Sequence, residues 1–164
     1  MSTVPRVPSD VPTTGPNLVR AGERPPVMPV AATKHTQAGA VAFAKFFMRT
    51  IDWGFATTSG SYIRHYYASS CVECANHADS LDATRKAGEF YVGGRFTLTD
   101  ASAAAVGDHH ADQSAVVTFD LTSVEMLDTQ DRFINADVAH SGLREQIWLS
   151  WRSSHWIVVE SAPA

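Results

Sequence analysis

The sequence predicts an α+β fold, with three N-terminal helices packed on a strongly bent antiparallel sheet. Three observations predict it. Apolar residues recur at helical spacing between Ala40 and Ile51. A Cys-x-x-Cys segment, also with helical spacing, follows and ends near Gly88. Beyond Gly94 the chain alternates apolar and polar residues with period two. Helices first and a meander of strands afterwards is the pattern of segregated layers, not of a parallel βαβ sheet.

Composition bounds the rest. A hydrophobic content of 45% and four Trp in 164 residues support one packed core. The net charge of -4 comes with no basic run, which argues against nucleic acid as a partner, because neutralising phosphates needs clustered Lys and Arg. No apolar stretch reaches the roughly 20 residues of a membrane-spanning helix. Met1 to Arg6 is followed by no apolar h-region of a signal peptide.

Residues 1–32 read as a disordered, proline-rich tether, and residues 33–164 as the domain. Seven of the eight prolines lie between Pro5 and Pro29. Proline fixes φ and removes a backbone donor, so such a run favours extended, solvated chain. Arg24 to Pro29 contains a loose P-x-x-P, a weak signal for a proline-recognition module.

The first helix is expected over about Thr36–Thr57, capped by Thr33 or Thr36. Ala40, Phe43, Ala44, Phe47 and Ile51 fall on one face, and Val41, Met48 and Phe55 widen it. Trp53, near its end, is a candidate cavity wall. A short second helix follows from Ser61 and carries Tyr62, Ile63, Tyr66 and Tyr67. A third, capped at Ser69-Ser70, carries Cys71, Cys74, Ala75, Ala78 and Leu81, with Gly88 at its C-terminal turn.

Cys71 and Cys74 are the only cysteines. They admit four readings: a local disulfide of an oxidising compartment, a redox dithiol, a zinc site, or inert thiols. The disulfide is preferred. The redox reading wants a strand before the motif, and the preceding segment reads as helix. Zinc would take Cys71, Cys74 and His77, with His65 as a fourth ligand, but a second Cys-x-x-Cys is absent.

In the sheet, Val92-Gly93-Gly94 reads as a turn or bulge, Arg95–Thr99 as a strand and Gly107–Asp112 as a loop. A long strand runs from about Ala115 to Met126, and a weaker one from Arg132 to Val138. Leu143–Trp151 then pairs with His155–Ser161. Ile147, Leu149 and Trp151 are assigned to the core face with Trp156 and Val158, and Glu145 and Trp148 to the other. A strongly bent sheet against a long helix makes a cone with an internal pocket, for which Phe47, Trp53, Tyr66, Tyr67, Phe119 and Trp151 are the candidate lining.

Arg24–Pro29, Thr36–Phe43, Cys71-Val72-Glu73-Cys74 and Gly93-Gly94, in that order, resemble an actinobacterial family of unknown function. Its members look like secreted lipoproteins: a lipobox cysteine, a disordered tether and a domain similar to the nuclear-transport-factor-2-like (SnoaL-like) cone. The resemblance implies that Cys71 and Cys74 are paired, and it implies no catalytic residues. The lipobox is not present in this sequence, and Thr58-Ser59-Gly60-Ser61 stands where such proteins often have Thr-Gly-Asp.

The leading functional expectation is a non-enzymatic, extracytoplasmic domain tethered to the cell envelope. It would bind an envelope protein, a wall component or a small ligand, with no cofactor. The alternative is an isomerase or dehydratase of the cone fold using His65 or Asp120 as base and Tyr66 or Tyr67 as donor. It requires two of these side chains inside one closed pocket. Pairing of two copies through the open sheet face, marked by Trp148, is a third expectation.

Overall fold

The computed structural model describes residues 4–164. Helix α1 spans Gln37–Thr57, α2 Ser61–Arg64 and α3 Val72–Lys86. Seven strands follow: β1 Phe90–Gly93, β2 Phe96–Ala104, β3 Gln113–Leu121, β4 Val124–Leu127, β5 Phe133–Asp137, β6 His140–Arg152 and β7 His155–Pro163.

Helix α1 begins where Thr36 caps it, its hydroxyl accepting from Gly39 N at 2.9 Å. It ends at Thr58, which adopts φ 53° in the left-handed region. All five residues of the expected stripe are buried. The cap of α3 differs from expectation: Cys71 takes that position instead of Ser69 or Ser70, and its sulfur accepts from Cys74 N.

The strands form two antiparallel sheets and not one strongly bent one. The larger has the order β2-β3-β6-β7 and the smaller β1-β4-β5. The long strand expected from Ala115 to Met126 is divided between them: β3 ends at Leu121, and β4 starts at Val124 in the other sheet. The alternation changes phase there: apolar residues fall at odd positions through Leu121 and at even positions at Val124 and Met126, with the exposed Thr122-Ser123 between them. The core lies between α1 and the larger sheet, where Phe43, Phe47, Val117, Ile147, Leu149 and Val158 meet. Residues 66–70 run along the free edge of β7. Ala68 N donates to Val158 O, Val158 N donates to Tyr66 O, and Ser70 Oγ donates to Val159 O.

The expectation of a solvated tether over 1–32 needs correction for the described part of that stretch; residues 1–3 lie outside the described residues. The segment is irregular, as its prolines dictate, apart from a 3-10 turn over Val30–Thr33. It nevertheless lies on the domain. Val11 is 4% exposed and joins the core. Trp53 Nε1 donates to Pro12 O at 2.8 Å, and the Tyr62 hydroxyl donates to Pro26 O. Asn17 clamps the end of β1: its side chain accepts from Gly93 N and donates to Gly93 O, both at 2.8 Å. Gly93 has φ 78°, and a Cβ there would meet Ser123 O at 2.0 Å, so the clamp grips a position only glycine fits.

A buried arginine completes the attachment. The Arg95 guanidinium binds Glu23 from the N-terminal segment (2.6 and 3.1 Å), Asp52 from α1 (2.8 and 3.0 Å) and the Asn17 carbonyl (3.0 Å). Two bidentate carboxylates and one carbonyl together use all five N–H donors of the planar fork. Prolines mark a chain without helix or ladder, but they do not prevent it from packing through side chains and carbonyls.

Candidate functional site

The most ligand-like feature is an apolar pocket of about 270 Å³ between α1, the start of α3 and the inner face of the sheets. Met48 and Ile51 of α1 form one wall, with Phe55 a turn further on. Phe96 of β2 and Phe119 of β3 stack at 5.0 Å to form the opposite wall. Leu121, two residues on from Phe119, faces the same way by alternation, and Leu143 of β6 and Val124 of β4 close the space.

Three polar side chains interrupt these walls. Glu145 projects from β6. Its Oε1 accepts from the Ser161 hydroxyl of β7 at 2.5 Å. Glu73 and His77 come from the first turns of α3, one helical turn apart, with His77 Nε2 3.7 Å from Glu73 Oε1. Both are more exposed than the walls and mark the mouth. Burial pushes the Glu145 carboxyl up to about 7. The negative charge of Glu73 and a hydrogen bond between the two carboxyls push the same way, against the Ser161 hydroxyl. The Glu145 carboxyl therefore keeps its proton up to about neutrality, because burial in an apolar setting disfavours its charged form.

The Cys71–Cys74 disulfide is formed, with a Cα separation of 5.3 Å and both residues 1% exposed. This excludes the zinc reading in the oxidised protein, since zinc binds thiolates. Neither histidine stands free: His77 lies beside Glu73, and His65 Nε2 lies 2.7 Å from Asp10 Oδ1. Among the described residues no group of three or more His, Cys, Asp or Glu is arranged to hold a metal ion. The bridge spans the turn carrying Glu73, so it fixes the residue that faces Glu145.

Of the six residues expected to line a pocket, Phe119 lines this one. Phe47 is fully buried in the core, and Trp53 borders a different cleft. Tyr66 packs edge-on against Phe43 and Phe46. The Tyr67 hydroxyl lies 3.4 Å from Arg64 Nη1. Trp151 stacks on His35 at 4.5 Å.

The expected acid–base group is not assembled either. His65 is exposed, and Asp120 accepts from Gly142 N on the far side of β3. Trp148 is 6% exposed beneath the loop before β3, stacking on His109 and donating to Val106 O. Glu145 and Glu73 were missed. Glu145 has the same parity as Leu143 and Ile147, so strict alternation places it on the inner face to which it had not been assigned.

A disulfide-bonded α+β domain with one apolar, acid-bearing pocket is the class that fold and site define. The chain belongs to the DUF6318 family, a family of unknown function, whose profile matches residues 20–162. The match starts before the helices and takes in Glu23, so part of the proline-rich segment belongs to the family's own domain. No curated protein matches the chain. Among solved structures, the intermembrane space region of the chloroplast protein ARC6 is similar in fold, with a TM-score of 0.52 at 15% identity. The alignment covers 79% of this chain and 97% of that one.

Proposed function

We propose that this protein is a non-enzymatic, extracytoplasmic binding domain of the cell envelope, whose pocket takes a small, largely apolar ligand. The observation that carries the proposal is the pocket itself: apolar walls from α1, β2, β3 and β6, with polar groups confined to Glu145, Glu73 and His77. A few polar groups in an apolar cleft orient a ligand while burial of its body supplies the affinity. The facing carboxyls favour a ligand that donates a hydrogen bond at one end. The disulfide supports an oxidising compartment. A secreted, lipid-anchored setting and kinship with the nuclear-transport-factor-2-like cone belong to the same reading, the latter supported by a pocket between a long helix and a sheet.

A second reading has its own observation. A carboxyl held near neutrality inside an apolar pocket is the state a general acid–base needs. In that reading Glu145, and none of His65, Asp120, Tyr66 or Tyr67, transfers the proton in an isomerase- or dehydratase-type reaction.

Titration with the neutral apolar probe Nile red separates these readings from an occupied core. Saturable one-to-one binding is expected, lost in L143W, which fills the pocket, with thermal stability retained. Absence of saturable binding, or binding that L143W leaves intact, would overturn the proposal. Turnover of a small carbonyl or hydroxyl compound that disappears in E145Q would move the function to the second reading.

A further inference from the structure

We propose that a second cleft, on the other side of Phe96 from the apolar pocket, binds a small oxyanion ligand bearing phosphate or carboxylate groups. The cleft measures about 310 Å³, at the small end of ligand sites. It lies where the N-terminal segment crosses α1 and β2, and four arginines border it: Arg20, Arg24, Arg49 and Arg95. These are four of the thirteen cationic residues of a chain whose net charge is -4.

The charge pattern points to an anion from outside the chain. The cleft's two carboxylates, Glu23 and Asp52, are committed to Arg95 through both oxygens. Each also takes one backbone donor: Glu23 Oε2 accepts from Val19 N, and Asp52 Oδ1 accepts from Phe96 N. Among the described residues Arg20, Arg24 and Arg49 have no hydrogen-bonded acceptor and no ion-pair partner. All three are exposed, with Arg20 close enough to Glu23 to help hold that carboxyl low.

The sequence places these groups together for local reasons. Arg20 and Arg24 are four residues apart in a turn closed by Glu23 N donating to Arg20 O. Arg49, Asp52 and Trp53 share one face of α1 by i, i+3, i+4 spacing. Phe96 and Leu98 share one face of β2. The result is three guanidiniums over a wall of Trp53, Phe96, Leu98 and Pro26. Guanidinium forks match the planar oxygens of phosphate and carboxylate, and the apolar wall accommodates a short carbon skeleton. This site is independent of the apolar pocket's ligand.

The test is a titration of the full chain, oxidised and at constant ionic strength, with pyrophosphate and with citrate, followed by amide NMR shifts and calorimetry. Saturable binding with shifts at Arg20, Arg24, Arg49 and Phe96 is expected. Affinity should fall roughly ten-fold or more in R49E and in R20A/R24A, the loss expected for removing charge-assisted hydrogen bonds. It should weaken as salt rises, and E145Q should leave it unchanged. Among the described residues the side chains of the three arginines make no hydrogen bond or ion pair, so the variants should stay folded with melting temperatures near the wild type's, R20A/R24A losing only the minor pull of Arg20 on Glu23. Tighter pyrophosphate binding assigns the site to phosphate esters, and tighter citrate binding to polycarboxylates. No saturable binding of either, or binding that R49E leaves unchanged, overturns the proposal.

Discussion

Replacing Glu145 by glutamine should stabilise the protein, and only above a defined pH. The amide is isosteric with the carboxyl. It keeps an acceptor for the Ser161 hydroxyl and gains a donor toward Glu73. What it removes is the cost of charging a carboxyl that burial and Glu73 hold at about 7, against an ordinary value of 4.5. That difference corresponds to about 3 kcal/mol on the charged form, which solvent at the pocket mouth screens to roughly 1–2 kcal/mol.

The sign follows from proton counting. Below pH 4.5 folded and unfolded chains both carry the proton, and Glu145 contributes no pH dependence. Between 4.5 and 7 the folded protein keeps a proton that the unfolded chain has released, so stability falls as pH rises. Above 7 the loss is complete. E145Q should therefore match the wild type near pH 4.5. At pH 8 it should exceed it by roughly 1–2 kcal/mol, or about 2–8 °C in melting temperature for a domain of this size. The assay is thermal unfolding of both proteins from pH 4.5 to 8. Subtracting the two curves removes titrations that they share, including that of Glu23. A difference that stays constant across this range would refute the pocket electrostatics, as would a Glu145 carboxyl carbon titrating near 4.5.

Two further substitutions test the attachment of the N-terminal segment. R95M should cost about 3–5 kcal/mol, because it leaves Glu23 and Asp52 partly buried without their cation, and R95M/E23Q/D52N should recover part of that loss in denaturant melts. Burial works against it, but the hydrogen bonds from Arg95 hold the Glu23 carboxyl below its usual range. Its contribution is therefore present above 4.5 and lost on acidification through its folded pKa. Deleting residues 1–29 removes Val11, the Asn17 clamp and Glu23 together, so it should abolish cooperative unfolding or lower the melting temperature sharply; a truncated domain as stable as the full chain would restore the tether.

What the sequence reveals and what it conceals follow from the range of the interactions. The helices are legible because their determinants are local. Thr36 caps three residues ahead, and the Ala40–Ile51 stripe needs only a 3.6-residue period. The hairpin of β6 and β7 is legible for the same reason. The break between β3 and β4 leaves a change of phase at Thr122-Ser123, but the sheet that β4 joins is set by its pairing with β1, far back along the chain. The packing of residues 4–29 is least legible. It rests on side chains whose partners lie far along the chain: Asn17 on Gly93, Glu23 on Arg95, and Pro12 beneath Trp53. None of these pairings leaves a periodic trace, and the proline content that is visible points toward solvent. The candidate site divides in the same way. The Cys-x-x-Cys bridge is local, but Glu73 and Glu145 meet only through the tertiary fold, and alternation supplies only the side of the strand from which Glu145 projects.

The same long-range contacts give the N-terminal segment a role beyond covering the core. Asp52 Oδ1 accepts from both Arg95 Nε and Phe96 N, so one carboxylate sets the side chain of Arg95 and the backbone where β2 begins. Phe96 is the wall common to both cavities. Its ring packs on Phe119 within the apolar pocket, while its other surface borders the arginine cleft. Glu23 completes the charge balance that keeps Arg95 buried, and Glu23 is held only by a segment without regular structure. The chain before α1 therefore positions the residue that separates the two sites. A domain whose cavities were shaped by helices and strands alone would have no such requirement. That dependence gives a physical reason for the family match to begin at residue 20, well before the first helix.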